Sequence, residues 1–102
     1  MGNRVSIQFV NGDQKSVVLF SHWGGMNFVK LARDYVTLLK REIAQGAMAQ
    51  APLGRLEPET VIVDFIRSFT AHTDRVTCDF YLGATQDDGD NSDNRHFEIN
   101  LV

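Results

Sequence analysis

Residues 27–45, NFVKLARDYVTLLKREIAQ, form the longest periodic segment of the chain. Phe28, Leu31, Ala32, Tyr35, Leu38, Leu39 and Ile43 recur at the spacing of one helical stripe. Lys30, Arg33, Asp34, Thr37, Lys40 and Arg41 fall on the other side. A helix of this kind hides its apolar stripe only against a second layer, so the rest of the chain must supply one. Asn27 stands where an N-cap is expected, and Gly46 where a left-handed cap would end the helix.

Strand patterns lie on both sides of it. From Arg4 to Val10 the chain alternates, with Val5, Ile7 and Phe9 on one face. Asn11-Gly12 is a hairpin turn signal, and Lys15–Ser21 is the returning strand. Its centre, Val17-Val18-Leu19-Phe20, is apolar on both faces. That strand is therefore central and covered twice, or its outer face meets a partner. After the helix, Gly46–Leu56 reads as a connection. Pro58 opens a second helix whose stripe is Val61, Ile62, Phe65, Ile66 and Phe69. Residues 75–82 and 95–102 alternate again, and the acidic run between them reads as the loop of a hairpin.

The order is β-β-α-α-β-β. It predicts one α+β domain over residues 1–102: a two-layer, four-stranded antiparallel sheet with two helices on one face.

Composition narrows the function classes. Apolar residues make up 43% and charged residues 23% of the chain, as in soluble globular proteins. No apolar run approaches the roughly 20 residues that span a bilayer. One cysteine, Cys78, excludes an internal disulfide, and the expected compartment is the reduced cytoplasm. Charge is uneven. Residues 1–73 hold eight basic and six acidic side chains, whereas residues 74–102 hold two and seven. The acidic end repels phosphates, which disfavours a nucleic-acid partner.

Two stretches could carry chemistry. In Asp87-Asp88-Gly89-Asp90-Asn91-Ser92-Asp93-Asn94, the carboxylates of Asp87, Asp88, Asp90 and Asp93 could serve calcium, which takes six to eight oxygens. It is not an EF-hand: from Asp88, the sixth position is Asp93 rather than glycine, and the twelfth is Ile99 rather than glutamate. The alternative is a solvated hairpin tip. The second stretch, Ser21-His22-Trp23-Gly24-Gly25, leads into a helix whose free amides could hold an anion. Its alternative is a tight turn. His22, His72 and His96 show no metal spacing with Cys78, and neighbouring Ser21 and His22 would point to opposite faces of a strand. Asp79, His96 and Glu98 could share the outer face of the last hairpin.

Together with Leu82-Gly83 and His96-Phe97-Glu98-Ile99-Asn100, these two stretches resemble small uncharacterised prokaryotic and phage proteins over roughly residues 17–102. The resemblance implies no activity. It implies only that both stretches belong to one pattern.

The reading is thus a small binding or interaction protein. The alternative is a small enzyme or anion-binding protein using Ser21–Gly25. Self-association is expected from Val18 and Phe20: with Val17 and Leu19 facing the core, they would form an exposed apolar patch.

Overall fold

The computed structural model describes residues 2–46, 53–70 and 79–102. Cys78, His72 and the first half of the expected third strand, residues 75–78, lie outside them.

Among the described residues, five strands and two α-helices form an α+β domain with the helices on one face of the sheet. Strand β1 (Val5–Asn11) runs up the middle. On one edge it pairs antiparallel with β2 (Gln14–Lys15) and then with β3 (Val18–Ser21). Val10 faces Lys15, but Ile7 faces Leu19, so one extra residue enters the returning chain at Ser16–Val17. That is a β-bulge. The Ser16 hydroxyl accepts the Phe9 amide (3.0 Å) and thereby satisfies a donor the bulge would leave unpaired.

Strand β4 (Phe80–Gly83) pairs antiparallel with β3, whereas β5 (His96–Asn100) pairs parallel with the free edge of β1. The expected hairpin between the last two strands does not form. They occupy opposite edges, in the lateral order β5, β1, β2/β3, β4. Alternation fixes which face a side chain takes, not which strand lies alongside, and a twelve-residue link is long enough to cross the sheet.

Helix α1 (Gly25–Ala44) begins two residues before Asn27, which is therefore not the cap. Gly25, at φ +56°, makes the sharp entry, and its amide is bonded to the Asn3 carbonyl (2.9 Å). The buried stripe is Phe28, Val29, Ala32, Val36 and Leu39; Leu31 and Leu38 are half-exposed instead. Two overlapping i, i+7 series run along this helix, and the sheet takes the one containing Val29 and Val36. After a single 3₁₀ turn (Leu53–Arg55), α2 (Pro58–Thr70) starts on its proline as expected. Its Phe65 is fully buried among Phe9, Phe28, Tyr35 and Phe69, with ring centroids 4.9–5.7 Å away. The Tyr35 hydroxyl donates to Asp64 (2.5 Å). Burial, then that carboxylate, push the phenol far above its ordinary range.

Val18 and Phe20 are fully buried, which corrects the expected exposed patch. They lie on the face away from the helices, and residues 84–95 cover that face on their way from β4 to β5. Phe20 stacks on Tyr81 (4.8 Å, 4° between planes). Gly89 sits so close that a Cβ there would lie 2.6 Å from the Tyr81 ring and 2.8 Å from Phe20. The doubly apolar strand is therefore covered twice, by helices on one side and by this acidic strap on the other.

Candidate functional site

The four carboxylates of the strap do not gather at one point: Asp90 and Asp93 meet the Arg4 guanidinium (3.3 and 3.7 Å), whereas Asp88 turns to nearby amides. Asp88 accepts the amides of Ala84 (2.7 Å) and Thr85 (2.8 Å). Asp90 accepts the hydroxyl (2.7 Å) and amide (3.0 Å) of Ser92 and pairs with the Arg4 guanidinium (3.3 Å). Asp93 accepts the Arg4 amide (2.9 Å). Asp87 is exposed, its amide donating to Thr85 Oγ1 (3.3 Å). Hydrogen bonds from Thr85 and Ala84 hold the Asp88 carboxyl below its ordinary value; Ser92, and then Arg4, do the same for Asp90. Among the described residues no three His, Cys, Asp or Glu side chains gather around a point where a metal ion could sit.

Beneath the strap lies a polar relay. Asn91 Nδ2 donates to Ser6 Oγ (2.9 Å), which is 2.7 Å from His96 Nδ1. His96 Nε2 is 3.3 Å from Gln8 Oε1, and Gln8 Nε2 donates to the Ser16 carbonyl (2.8 Å). That last bond turns the Gln8 oxygen toward the imidazole. His96 then carries its proton on Nε2 and accepts the Ser6 proton at Nδ1. Ser6 is fully buried; its contact with His96 joins β1 to β5, and the Asn91 bond ties the strap to the sheet. Of the trio Asp79, His96 and Glu98, only the last two share a strand; Asp79 lies at the opposite edge of the sheet.

Burial depresses the His96 pKa against the opposing pull of Glu98 and Asp87, with Lys15 adding to the depression. A histidine whose folded pKa lies below its unfolded value of about 6.5 contributes stability above that pH, and the contribution is lost as pH falls through the interval down to the folded pKa. The depressed carboxylates act the same way, but only below about pH 4. Urea midpoints are therefore expected to fall between pH 7 and about 5, and less steeply in His96→Gln. Equal slopes would remove His96 as the cause.

The Ser21–Gly25 turn is already occupied from within. Asp79 Oδ1 accepts the Ser21 hydroxyl (3.0 Å) and the amides of His22 (2.8 Å) and Trp23 (3.2 Å). Ser21 Oγ accepts the Gly24 amide (2.8 Å). His22 packs against Trp23 and Tyr81 at centroid distances of 5.5 and 5.2 Å, and Trp23 is exposed. The Tyr81 hydroxyl accepts the Asp90 amide (2.8 Å). Tyr81 thus brings the turn and the strap together, and neither motif pointed to it in the sequence.

Apolar side chains are exposed elsewhere on the surface. An open groove of about 420 Å³ is lined by Val17, Ile62, Val63 and Ala84, with Lys15 and Glu59 at its rim. Beside it, at the end of β4, lies Leu82. Val17, Val63 and Leu82 are 43%, 64% and 56% exposed. Val17 and Leu82 have the core-facing parity of their strands, and neither helix reaches over them there.

Fold and surface define a small α+β domain with an internally bonded polar face and one uncovered apolar edge. No family model matches the chain, and neither a curated protein nor a solved structure matches it. No helix among the described residues is long and apolar enough to cross a membrane.

Proposed function

We propose that this chain is a binding module rather than an enzyme, and that it docks an extended apolar chain segment along β4. The observation that carries the reading is the exposed Val17 and Val63 in the groove, with Leu82 exposed on the adjoining strand β4. Exposed apolar side chains clustered beside a sheet edge fit strand addition, in which main-chain bonds give affinity and alternate side chains enter a pocket. Among the described residues no strand pairs with the outer edge of β4. The polar groups support the same reading. Ser6, His96, Gln8 and Asp79 are bonded to one another or to backbone rather than converging on an open cleft. Catalysis would need such convergence.

Panning a library of short random peptides against the immobilised protein tests this. Enriched peptides should alternate apolar residues, and Val63→Asp should weaken their binding by roughly 10-fold or more. No enrichment, or enrichment indifferent to Val63→Asp, would overturn it.

A further inference from the structure

We infer that His96 is a pH-sensitive latch whose protonation lifts the middle of the strap, around Asn91, off the outer face of the sheet. The polarity of the relay decides which part of the domain gives way. His96 Nε2 donates to Gln8 Oε1 (3.3 Å), so Nδ1 holds the one lone pair of the ring, and the Ser6 hydroxyl donates to it (2.7 Å). The same Ser6 oxygen accepts a proton of Asn91 Nδ2 (2.9 Å). A ring that gains a proton gains it at Nδ1 and becomes a donor on both sides. Ser6 Oγ then faces two donors, His96 and Asn91, and its own proton must turn elsewhere. Ser6 is fully buried, and among the described residues its hydroxyl has no third partner. That proton is left without an acceptor and away from water, which is unfavourable.

The sheet cannot relieve this. Ser6 sits in β1 between β3 and β5, and Gln8 is fixed by the Ser16 carbonyl. The strap can, because lifting Asn91 admits water to Ser6 and to the ring. Asp93 and Asn94 stay bonded to Arg4, and Asp88 to the Ala84 and Thr85 amides, so only Gly89–Asn91 need move. The exposed Asp90–Arg4 pair resists weakly. Gly89 leaves the Phe20 and Tyr81 rings, and the Asp90 amide leaves the Tyr81 hydroxyl. Burial holds the closed ring neutral at pH 7. Of the charges that face it, Glu98 of its own strand and Asp87 of the strap favour the proton, and Lys15 of β2 opposes it. Glu98 is paired with that lysine (3.2 Å), and β1 presents only the neutral Ser6 and Gln8. In the lifted state the ring meets water and titrates near its ordinary value of about 6.5, so lifting is favoured as pH falls below it. Asp88 and Asp90, held below the ordinary carboxyl value, stay ionised there.

Amide exchange at pH 7 and pH 5, expressed as protection factors to cancel the intrinsic pH dependence, tests the latch. The Asp90 and Arg95 amides should lose roughly 10-fold or more in protection, while the Ile7 amide of β1 keeps its own. His96→Gln should abolish the loss. His22→Gln should leave it in place, although His22, the other histidine among the described residues, also touches Tyr81. In the unmodified protein, nitrogen shifts of the His96 ring should put the neutral proton on Nε2, and the titration of the ring and the loss of strap protection should share one midpoint. Strap protection unchanged between the two pH values, a loss that persists in His96→Gln, or equal losses in the strap and β1 would overturn the inference. Should His96→Gln not fold, a ring that titrates without any change in the strap overturns it alone.

Discussion

Phe20→Ala is expected to lower the unfolding free energy by about 3–5 kcal/mol, the cost of truncating a fully buried phenylalanine. The side chain lies between Tyr81 and the strap, with Gly89 against it. Removing the ring would leave a cavity on the face away from the main core. Collapse into it is hindered, because the strap is bonded to the rest of the domain: the Tyr81 hydroxyl accepts the Asp90 amide, Asn91 donates to Ser6, and Asp93 accepts the Arg4 amide. Two measurements separate this from the reading in which Phe20 faces a partner. Urea denaturation should show the full loss in dilute, monomeric protein, and hydrogen exchange should show the strap amides opening first. A loss under about 1 kcal/mol at low concentration, with oligomeric state altered instead, would place Phe20 at an interface.

The double apolar character of Val17–Phe20 was legible as a constraint. It called for a second cover or a partner on the outer face, and Val18 and Phe20 have the cover. Which element supplied the second was hidden, because residues 87–94 look like the most water-loving part of the chain. Their acidity misleads for a physical reason. Carboxylates at turns spend themselves on nearby amides, as Asp88 and Asp90 do, and leave the backbone and Gly89 free to lie against aromatic rings. Helix positions were legible from period. Their rotation was not, since Leu31 and Leu38 compete with Val29 and Val36 for the same sheet. Parallel pairing of β5 with β1 leaves no local trace, because both strands alternate in the same way whatever their neighbour. The groove was invisible for a related reason: Val17 and Leu82 have core parity, and only the reach of α2 decides that they stay uncovered.

Asp79→Ala is expected to cost about 2–3 kcal/mol, within the range for losing charge-assisted hydrogen bonds at a partly exposed site. Asp79 and His22 are 57 residues apart in sequence, so no local pattern announces their contact. One oxygen of Asp79 serves the Ser21 hydroxyl and the His22 and Trp23 amides, and it therefore fixes the exit of β3 and the entry to α1 together. Without it, three donors must turn to water at the start of a helix, where negative charge is also favoured. The variant should therefore create the anion site that the native turn fills for itself. Formate or phosphate should raise the melting temperature of Asp79→Ala more than that of the native protein, while Asp79→Asn falls between them. A loss below about 0.5 kcal/mol would show that water replaces the carboxylate at no cost. A full loss without anion rescue would show that the turn collapses once Asp79 is gone. Rescue of the native protein to the same degree would mean that Asp79 yields its place to an external anion, and that the Ser21–Gly25 turn is itself a ligand site.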